Sequence, residues 1–188
     1  MSRVHRISSV LALVIAVGLG GCAGGGGPSE HRYDLGIEAP AARMPALELG
    51  EVRALRPFDS VSMYYRLAYR DNAELAKFAQ SRWVAPPPEL LRKQVARAIR
   101  PGTPHCTLEI ELQEFSQVFS AENSSSARLE FVATLKPPDG GSRTLALRVS
   151  EGGGGASAAQ GVGAMRRAVA RAMDELAGWV DGVAACRG

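Results

Sequence analysis

A short apolar run that leads to a cysteine divides this chain into two unlike parts. Residues 10–19 are predominantly apolar, Arg3 and Arg6 precede them, and two glycines connect the run to Cys22. A basic start, an apolar stretch and small residues before a cleavage site are the features of a secretory signal peptide. The run is too short for a transmembrane helix, which needs about 20 apolar residues. We therefore expect residues 1–21 to be a signal peptide that is removed on export.

A cysteine at the first mature position favours a bacterial lipoprotein signal over an ordinary cleaved signal, which remains the alternative. Acyl chains on Cys22 would anchor the protein without a membrane span, because several chains together give stable membrane attachment. Residues 22–30 are rich in glycine and predict a flexible tether. Ala23, rather than an aspartate, follows the cysteine, which in this class of lipoprotein is typical of sorting to the outer membrane. We expect a lipid-anchored domain that faces the periplasm.

The charge of the mature chain is close to balanced. The whole sequence has 22 basic and 19 acidic side chains, and removal of residues 1–21 takes away Arg3 and Arg6, which leaves 20 basic and 19 acidic. Nucleic-acid binding requires a clustered basic face. Arg166, Arg167 and Arg171 do cluster on one predicted helix, but a solvated helix face accounts for them. No nucleic-acid partner is expected.

Apolar residues at alternate positions predict the strands of one domain over residues 31–188. Asp71 and Glu74 have the spacing of a capping box and predict a short first helix that carries Phe78. A second helix is expected to begin near Pro88, and a long amphipathic third helix covers residues 162–183. We expect an α+β fold: a mostly antiparallel sheet of about five strands, with two or three helices packed on one face. The predicted strands are 32–35, 49–58, 61–67, 107–112, 129–135 and 145–149.

The clearest strand, residues 107–112, changes phase beyond its end. Its even-numbered residues are apolar, whereas Phe115 and Phe119 lie at odd positions. A β-bulge inserts one extra residue and reverses the faces of the residues that follow. A bulge near Gln113 and Glu114 would therefore return both phenylalanines to the buried face.

Cys106 and Cys186 remain in the mature chain besides Cys22. Disulfides persist in proteins exported from the cytoplasm. We predict a Cys106–Cys186 disulfide that fastens the C-terminus to the sheet; two separate buried thiols are the alternative.

Residues that could carry chemistry are few and poorly arranged. His105 and Cys106 are neighbours, but neighbours on a strand point to opposite faces and cannot form a catalytic dyad. The spacing of histidines and cysteines matches no metal site. Residues 153–158 fit Gly-x-Gly-x-x-Ala, yet a dinucleotide site also needs a parallel βαβ unit, and here the chain ends after the next helix. We predict no catalytic residue, no cofactor and no metal.

Several short blocks resemble a known family in their order and spacing. After the lipobox cysteine come Tyr33-Asp34-Leu35, Met63-Tyr64-Tyr65-Arg66, Arg82-Trp83 with Pro86-Pro87 and Leu90-Leu91, and Leu112-Gln113-Glu114-Phe115-Ser116-Gln117-Val118-Phe119. In these blocks the chain resembles the ABC-type transport auxiliary lipoproteins, the PqiC-like outer-membrane proteins that accompany MCE-domain proteins in lipid transport systems.

The resemblance implies a non-enzymatic protein that docks the outer-membrane end of a lipid conduit, with an MCE-domain protein as its partner. It also implies that Arg82, Trp83, Pro86 and Pro87 form the loop into the second helix, a candidate partner-contact loop. A homo-oligomer is compatible with this role, although the sequence shows no seam. The alternative function is a lipoprotein that assists another envelope machine, such as lipopolysaccharide export or secretin assembly.

Overall fold

The computed structural model describes residues 29–38, 40–153 and 155–187, which form one seven-stranded sheet and two α-helices. Cys22 and the predicted signal peptide therefore lie outside the described residues. The strands are β1 (His31–Tyr33), β2 (Glu48–Ala54), β3 (Ser62–Leu67), β4 (Asp71–Trp83), β5 (Thr107–Ala121), β6 (Ser124–Lys136) and β7 (Arg143–Gly152). The helices are α1 (Pro87–Ala98) and α2 (Ala158–Asp181), and a 3-10 turn at Ala184–Cys186 follows α2.

The sheet mixes parallel and antiparallel pairs. Strands β1, β4, β3, β5, β6 and β7 lie side by side in that order, and β2 also pairs with β5. The β1–β4, β2–β5 and β3–β5 pairs are parallel, whereas the β3–β4, β5–β6 and β6–β7 pairs are antiparallel. The prediction of a mostly antiparallel sheet of about five strands is therefore wrong, because the described part of the chain has seven strands and three parallel pairings.

The long strand β5 takes part in two of the three parallel pairs. One of its edges is shared: β2 pairs with residues 107–112 and β3 pairs with residues 116–119. Parallel pairing requires a crossover connection, and α1, between β4 and β5, supplies it. Alternation in a sequence indicates which face of a strand is buried but not which strand lies beside it, so the pattern alone did not reveal the parallel pairs.

Strand β4 occupies the segment that the sequence predicted to be the first helix, and this prediction is wrong. Asp71 acts as a turn residue instead of a helix cap: its Oδ1 accepts a hydrogen bond from the backbone N–H of Ala73 at 2.8 Å. This contact lies where β4 begins after the β3–β4 turn. A short carboxylate that bonds to the backbone two residues ahead is common in turns as well as at helix starts.

Register shifts in β4 explain why its sequence resembles a helix. From Ser62 to Tyr64, β3 advances two residues while β4 advances five, from Lys77 to Arg82. An odd surplus of residues reverses which alternate positions face the core. The resulting apolar spacing departs from a period of two and imitates the period of a helix.

The predicted bulge in β5 is confirmed. The pairing with β6 shifts between Leu112 and Glu114, and Gln113 is the extra residue. Phe115 and Phe119 are both buried, on the same face as the even-numbered apolar residues before the bulge.

Both helices contribute to a single hydrophobic core with the sheet. Leu91 and Val95 of α1 and Met173 and Leu176 of α2 belong to one buried cluster together with alternate residues of β5 and β6. The last helix, predicted over residues 162–183, begins earlier than expected, because Ser157 and Gln160 form a reciprocal capping box at its start.

Candidate functional site

Trp83 of the predicted partner-contact loop is a core residue. It ends β4, its side chain is 3% exposed, and its ring packs edge-on against Phe115 with centroids 5.2 Å apart. The guanidinium group of Arg82 donates hydrogen bonds to the backbone oxygens of Phe78 and Ser81. These hydrogen bonds stabilise the end of β4. These two residues lie in the sheet and do not form an exposed loop.

The other members of the predicted loop lie at the start of α1. Pro86 is the N-cap residue, and Pro87, which is buried, opens the first turn, where the absence of a backbone N–H removes no helical hydrogen bond. The exposed residue in this segment is Val84, whose side chain is 50% exposed. Its N–H donates to the backbone oxygen of Tyr33 in β1. Contact with a partner at this segment would therefore involve Val84 more than Trp83.

The edge strand β1 places the start of the described chain beside this segment. His31, Arg32 and Tyr33 pair with the last three residues of β4, and Glu30 forms ion pairs with Arg32 and Arg82 at 3.1 and 3.5 Å. The predicted tether thus enters the domain at the β1–β4 edge of the sheet.

Cys106 and Cys186 form a disulfide in the structure. Their Cα atoms are 5.3 Å apart, within the usual range for a disulfide, and both residues are buried. The bond joins the residue before β5 to the 3-10 turn at the end of the chain. Because the sulfur of Cys106 is bonded, it offers no thiolate beside the exposed His105.

The acidic residues on the outer face of the sheet are paired with cations from neighbouring strands. Glu109 of β5 forms an ion pair with Lys136 of β6 at 2.6 Å, and Glu130 of β6 forms one with Arg148 of β7 at 3.4 Å. Glu111 pairs in the same way with Arg53 of β2. This arrangement is a cross-strand ladder that stabilises the sheet, and it does not set two carboxylates against a common substrate.

Arginines along α2 bind to neighbouring segments. Arg166 pairs with Glu38 at 3.4 Å, and Arg167 donates to the backbone oxygen of Gly152 at 2.6 Å. Arg171 contacts Glu151 and Glu175, and hydrogen bonds to these two carboxylates raise the pKa of its guanidinium. Each arginine has its own counterpart, which agrees with a solvated helix face and offers no continuous basic surface.

A cleft lies between α1, α2 and the segment that follows β1. Its volume is about 400 Å³, and we call it the arginine cleft. Arg166 and Arg167 line its polar side together with Gln94 of α1, and Leu35 and Val169 contribute to its apolar side. Sequence reasoning missed this cleft, because the residues that form it are spread over more than 130 positions and none of them stands in a recognisable motif.

Two further observations bear on what the described residues can do. No group of three or more potential metal-ligating side chains lies together within residues 29–38, 40–153 and 155–187. Over the same ranges, neither helix combines the length and the apolar character needed to span a membrane.

Comparison with known proteins shows the fold. No family model and no curated protein matches this chain. The structure is similar to a crystal structure of protein XCC0632 from Xanthomonas campestris, described as DUF330, with a TM-score of 0.63 and 20% identity over 79% of this chain and 93% of that one. It is also similar to a crystal structure of an uncharacterized protein, with a TM-score of 0.66 and 12% identity over 81% of this chain and 99% of that one. At these identities the similarity shows a common fold and leaves activity open.

Proposed function

We propose that this protein is a non-enzymatic outer-membrane lipoprotein that serves as the auxiliary component of an ABC-type, MCE-domain lipid transport system. One observation supports this proposal above the others: a chain whose sequence blocks resemble PqiC-like lipoproteins also has a fold similar to that of a DUF330 protein. DUF330 is the domain family of the PqiC-like proteins. The resemblance in sequence blocks and the similarity in backbone both support this proposal.

The position of the β1–β4 edge is compatible with a tethered docking domain. Between Cys22 and Ser29 the chain can extend by at most about 25 Å. A domain anchored at Cys22 would therefore keep this edge close to the membrane surface. Val84, which follows β4 beside β1, and Val61, whose backbone oxygen accepts from Trp83 at the end of β4, are both exposed and are candidates for contact with a membrane-associated partner.

Co-purification tests the proposal. The full-length protein carries a C-terminal tag, envelopes are solubilised in mild detergent, and captured proteins are identified by mass spectrometry. We expect an MCE-domain protein in the captured fraction. Capture of lipopolysaccharide-export or secretin components in its place would favour the alternative function, and absence of any MCE-domain protein would count against the proposal.

A matched pair of variants locates the contact. Val84→Glu introduces a charge beside the predicted partner-contact loop, whereas Leu55→Glu changes a similarly exposed aliphatic residue after β2. We expect Val84→Glu to reduce capture of the MCE-domain protein by at least about tenfold, because a buried charge without a partner opposes association. Leu55→Glu should leave capture unchanged. Equal capture by both variants would exclude this segment as the docking surface.

A further inference from the structure

Strand β7 leaves one edge of the sheet open. It is the last strand in the order of the sheet, and each of its residues from Arg143 to Gly152 pairs with β6 on its inner side. Within residues 29–38, 40–153 and 155–187, no strand and no backbone hydrogen bond occupies its outer side. The side chain of Arg167 reaches only the backbone oxygen of Gly152, at the very end of the strand. An open edge presents alternate backbone N–H and C=O groups to which another strand can bind.

The opposite edge of the sheet is less suited to strand addition. There β1 covers the last three residues of β4, and the pairing of β4 with β3 has two register shifts. Bulges bend and twist a strand, and they are a common protection of sheet edges. Strand β7 pairs with β6 residue for residue over its whole length, without a shift. Of these two edges, β7 is therefore the regular one.

Opposite charges stand at the two ends of β7, on the face that α2 covers. Arg143, the first residue, is exposed and forms no ion pair with any described residue. Glu151, near the other end, accepts a hydrogen bond from Arg171 of α2 through Oε1, which leaves Oε2 for a second donor. Odd-numbered residues of a strand share one face, and Leu147 and Val149 are buried on this face.

These charges are placed for pairing between two copies of β7. When two identical strands pair antiparallel about a two-fold axis that passes through Leu147, Leu147 lies opposite Leu147 of the partner subunit. Arg143 then lies opposite Glu151 of the partner subunit, and the symmetry repeats this pair at the other end. Residues directly opposite have Cα atoms about 4.5–5.5 Å apart, which is within reach of an ion pair.

Neighbouring registers do not have this complementarity. An axis through Arg148 brings Arg148 opposite Arg148 of the partner subunit, and like charges directly opposite destabilise a strand pair. An axis through Ala146 places Arg143 opposite Val149 of the partner subunit and moves Glu151 beyond the start of the partner's strand. Charge therefore selects the register centred on Leu147.

Helix α2 leaves room for a second copy. It packs over β6 and β7 to a similar extent, so its axis runs above the space between these strands. A two-fold axis perpendicular to the sheet places the partner's helix on the same face, two strand spacings away, which is about 10 Å. Packed helices are commonly about 8–10 Å apart. The two helices would therefore lie side by side without overlap.

We propose that β7 is the docking edge for a second copy of this chain and that the two seven-stranded sheets join into one at a two-fold axis through Leu147. Such an interface is isologous: each copy contributes Arg143 at one end and Glu151 at the other. The β1–β4 edge, where the predicted tether enters, lies at the far side of each sheet and stays free in the dimer.

Cysteine cross-linking tests the register. In the proposed dimer Thr144 lies opposite Ser150 of the partner subunit, and both side chains are exposed. Opposed Cα atoms in an antiparallel pair are at disulfide distance. Within one chain the two residues are six positions apart, about 20 Å along a strand, so they cannot bond to each other. We expect the full-length Thr144→Cys/Ser150→Cys protein, purified in non-ionic detergent and mildly oxidised, to form covalent dimers on a non-reducing gel.

The single variants Thr144→Cys and Ser150→Cys are the matched controls. In the proposed register each new cysteine lies about 20 Å from its copy, so neither variant should cross-link. Cross-linking of a single variant to the same extent as the double variant would overturn the register. Absence of cross-linking in the double variant would overturn it as well.

Charge reversal tests the edge itself. Sedimentation equilibrium of the full-length protein, in a detergent matched in density to the buffer, gives the dissociation constant of the dimer. Arg143→Glu sets two carboxylates against each other at both ends, so we expect this constant to rise at least about tenfold. The double variant Arg143→Glu/Glu151→Arg should dimerise more tightly than Arg143→Glu. Arg70→Glu makes the same change of charge in the β3–β4 turn and should behave like the unmodified protein.

Equal dissociation constants for Arg143→Glu and Arg70→Glu would overturn the proposal, as would a protein that stays monomeric up to about 100 μM. Urea unfolding of each variant establishes that the fold is retained. The proposal does not rest on the docking role, because capture of an MCE-domain protein and dimerisation through β7 are measured separately and either result can fail alone.

Discussion

Two glycines of α2 differ in how closely other residues pack against them: Gly161 lies in a crowded part of the core, whereas Gly178 has open space beside it. A Cβ on Gly161 would overlap the side-chain amide of Gln117, which is buried and donates to Ser125 Oγ at 2.7 Å. A Cβ on Gly178 would meet nothing within 4 Å. Gly161 is therefore required for the close approach of α2 to β5, whereas Gly178 carries only the cost that glycine has in any helix.

We predict that Gly161→Ala destabilises the protein and that Gly178→Ala stabilises it. Replacing glycine in a helix gains about 0.8–1 kcal/mol of intrinsic propensity, but overpacking a core position costs about 1–3 kcal/mol. The free energy of unfolding, measured in urea, should fall by about 1 kcal/mol for Gly161→Ala and rise by about 0.5–1 kcal/mol for Gly178→Ala. If both variants gain stability equally, the close packing of Gln117 on Gly161 is incorrect.

The Cys106–Cys186 bond is a second feature of single residues with a measurable effect. It closes a loop with a sequence separation of 80 residues. In the chain-entropy model, a loop of this length corresponds to about 4 kcal/mol of stability. We predict that the double variant Cys106→Ala/Cys186→Ala unfolds at a clearly lower urea concentration. Non-reducing digestion and mass spectrometry provide the direct measurement, and full alkylation of both cysteines without reductant would contradict the bond.

At the scale of elements, the bulge in β5 determines which residues of this strand face the hydrophobic core. Before Gln113 the even-numbered residues face the core, and after it Phe115 and Phe119 do. The same region separates the part of β5 that pairs with β2 from the part that pairs with β3. One extra residue thus allows a single long strand to hold two different neighbours and keep one continuous buried face.

We predict that deletion of Gln113 abolishes folding. Without the extra residue, either the buried phenylalanines turn to solvent or the pairing with β6 shifts by one position. The matched control is Gln113→Ala, which keeps the bulge and changes only an exposed side chain, so its stability should stay within about 0.5 kcal/mol of the unmodified protein. Circular dichroism and urea unfolding measure both. A deletion variant that unfolds as cooperatively as the control would show that the bulge is dispensable.

At the scale of the whole molecule, the described chain enters the folded domain at the β1–β4 edge, and Cys22, the predicted site of the lipid anchor, precedes the described residues. The core is built from residues 35–186, and the strand nearest the anchor, β1, has only three residues. Loss of the anchor should therefore change the location of the protein and leave its fold intact.

We predict that Cys22→Ala moves the protein from the membrane fraction to the soluble fraction, because acyl chains on Cys22 are its expected attachment. Fractionation of cells followed by a carbonate wash and immunoblotting measures the shift. The Cys106→Ala/Cys186→Ala variant serves as the control and should remain with the membrane. A Cys22→Ala protein that resists the wash would contradict the lipoprotein interpretation.

The sequence by itself determined the local features of the domain. Alternation located most strands, the change of phase at Gln113 predicted the bulge, and the period of 3.6 located α1 and α2. These features could be predicted because each depends on the faces of one segment, which a pattern of apolar residues records directly.

Only the tertiary structure decided which strands are neighbours and what the helices enclose. The parallel pairs of β5 join segments that are distant in the sequence, and β4 forms at residues 71–83 because its backbone pairs with β3 and β1. The pattern of apolar residues within one segment does not encode these pairings. The arginine cleft likewise depends on the packing of segments that are distant in the sequence. Gln94 has the pattern of an ordinary polar helix residue in the sequence, whereas in the structure it is largely buried and lines a cleft with residues of α2 and of the segment after β1.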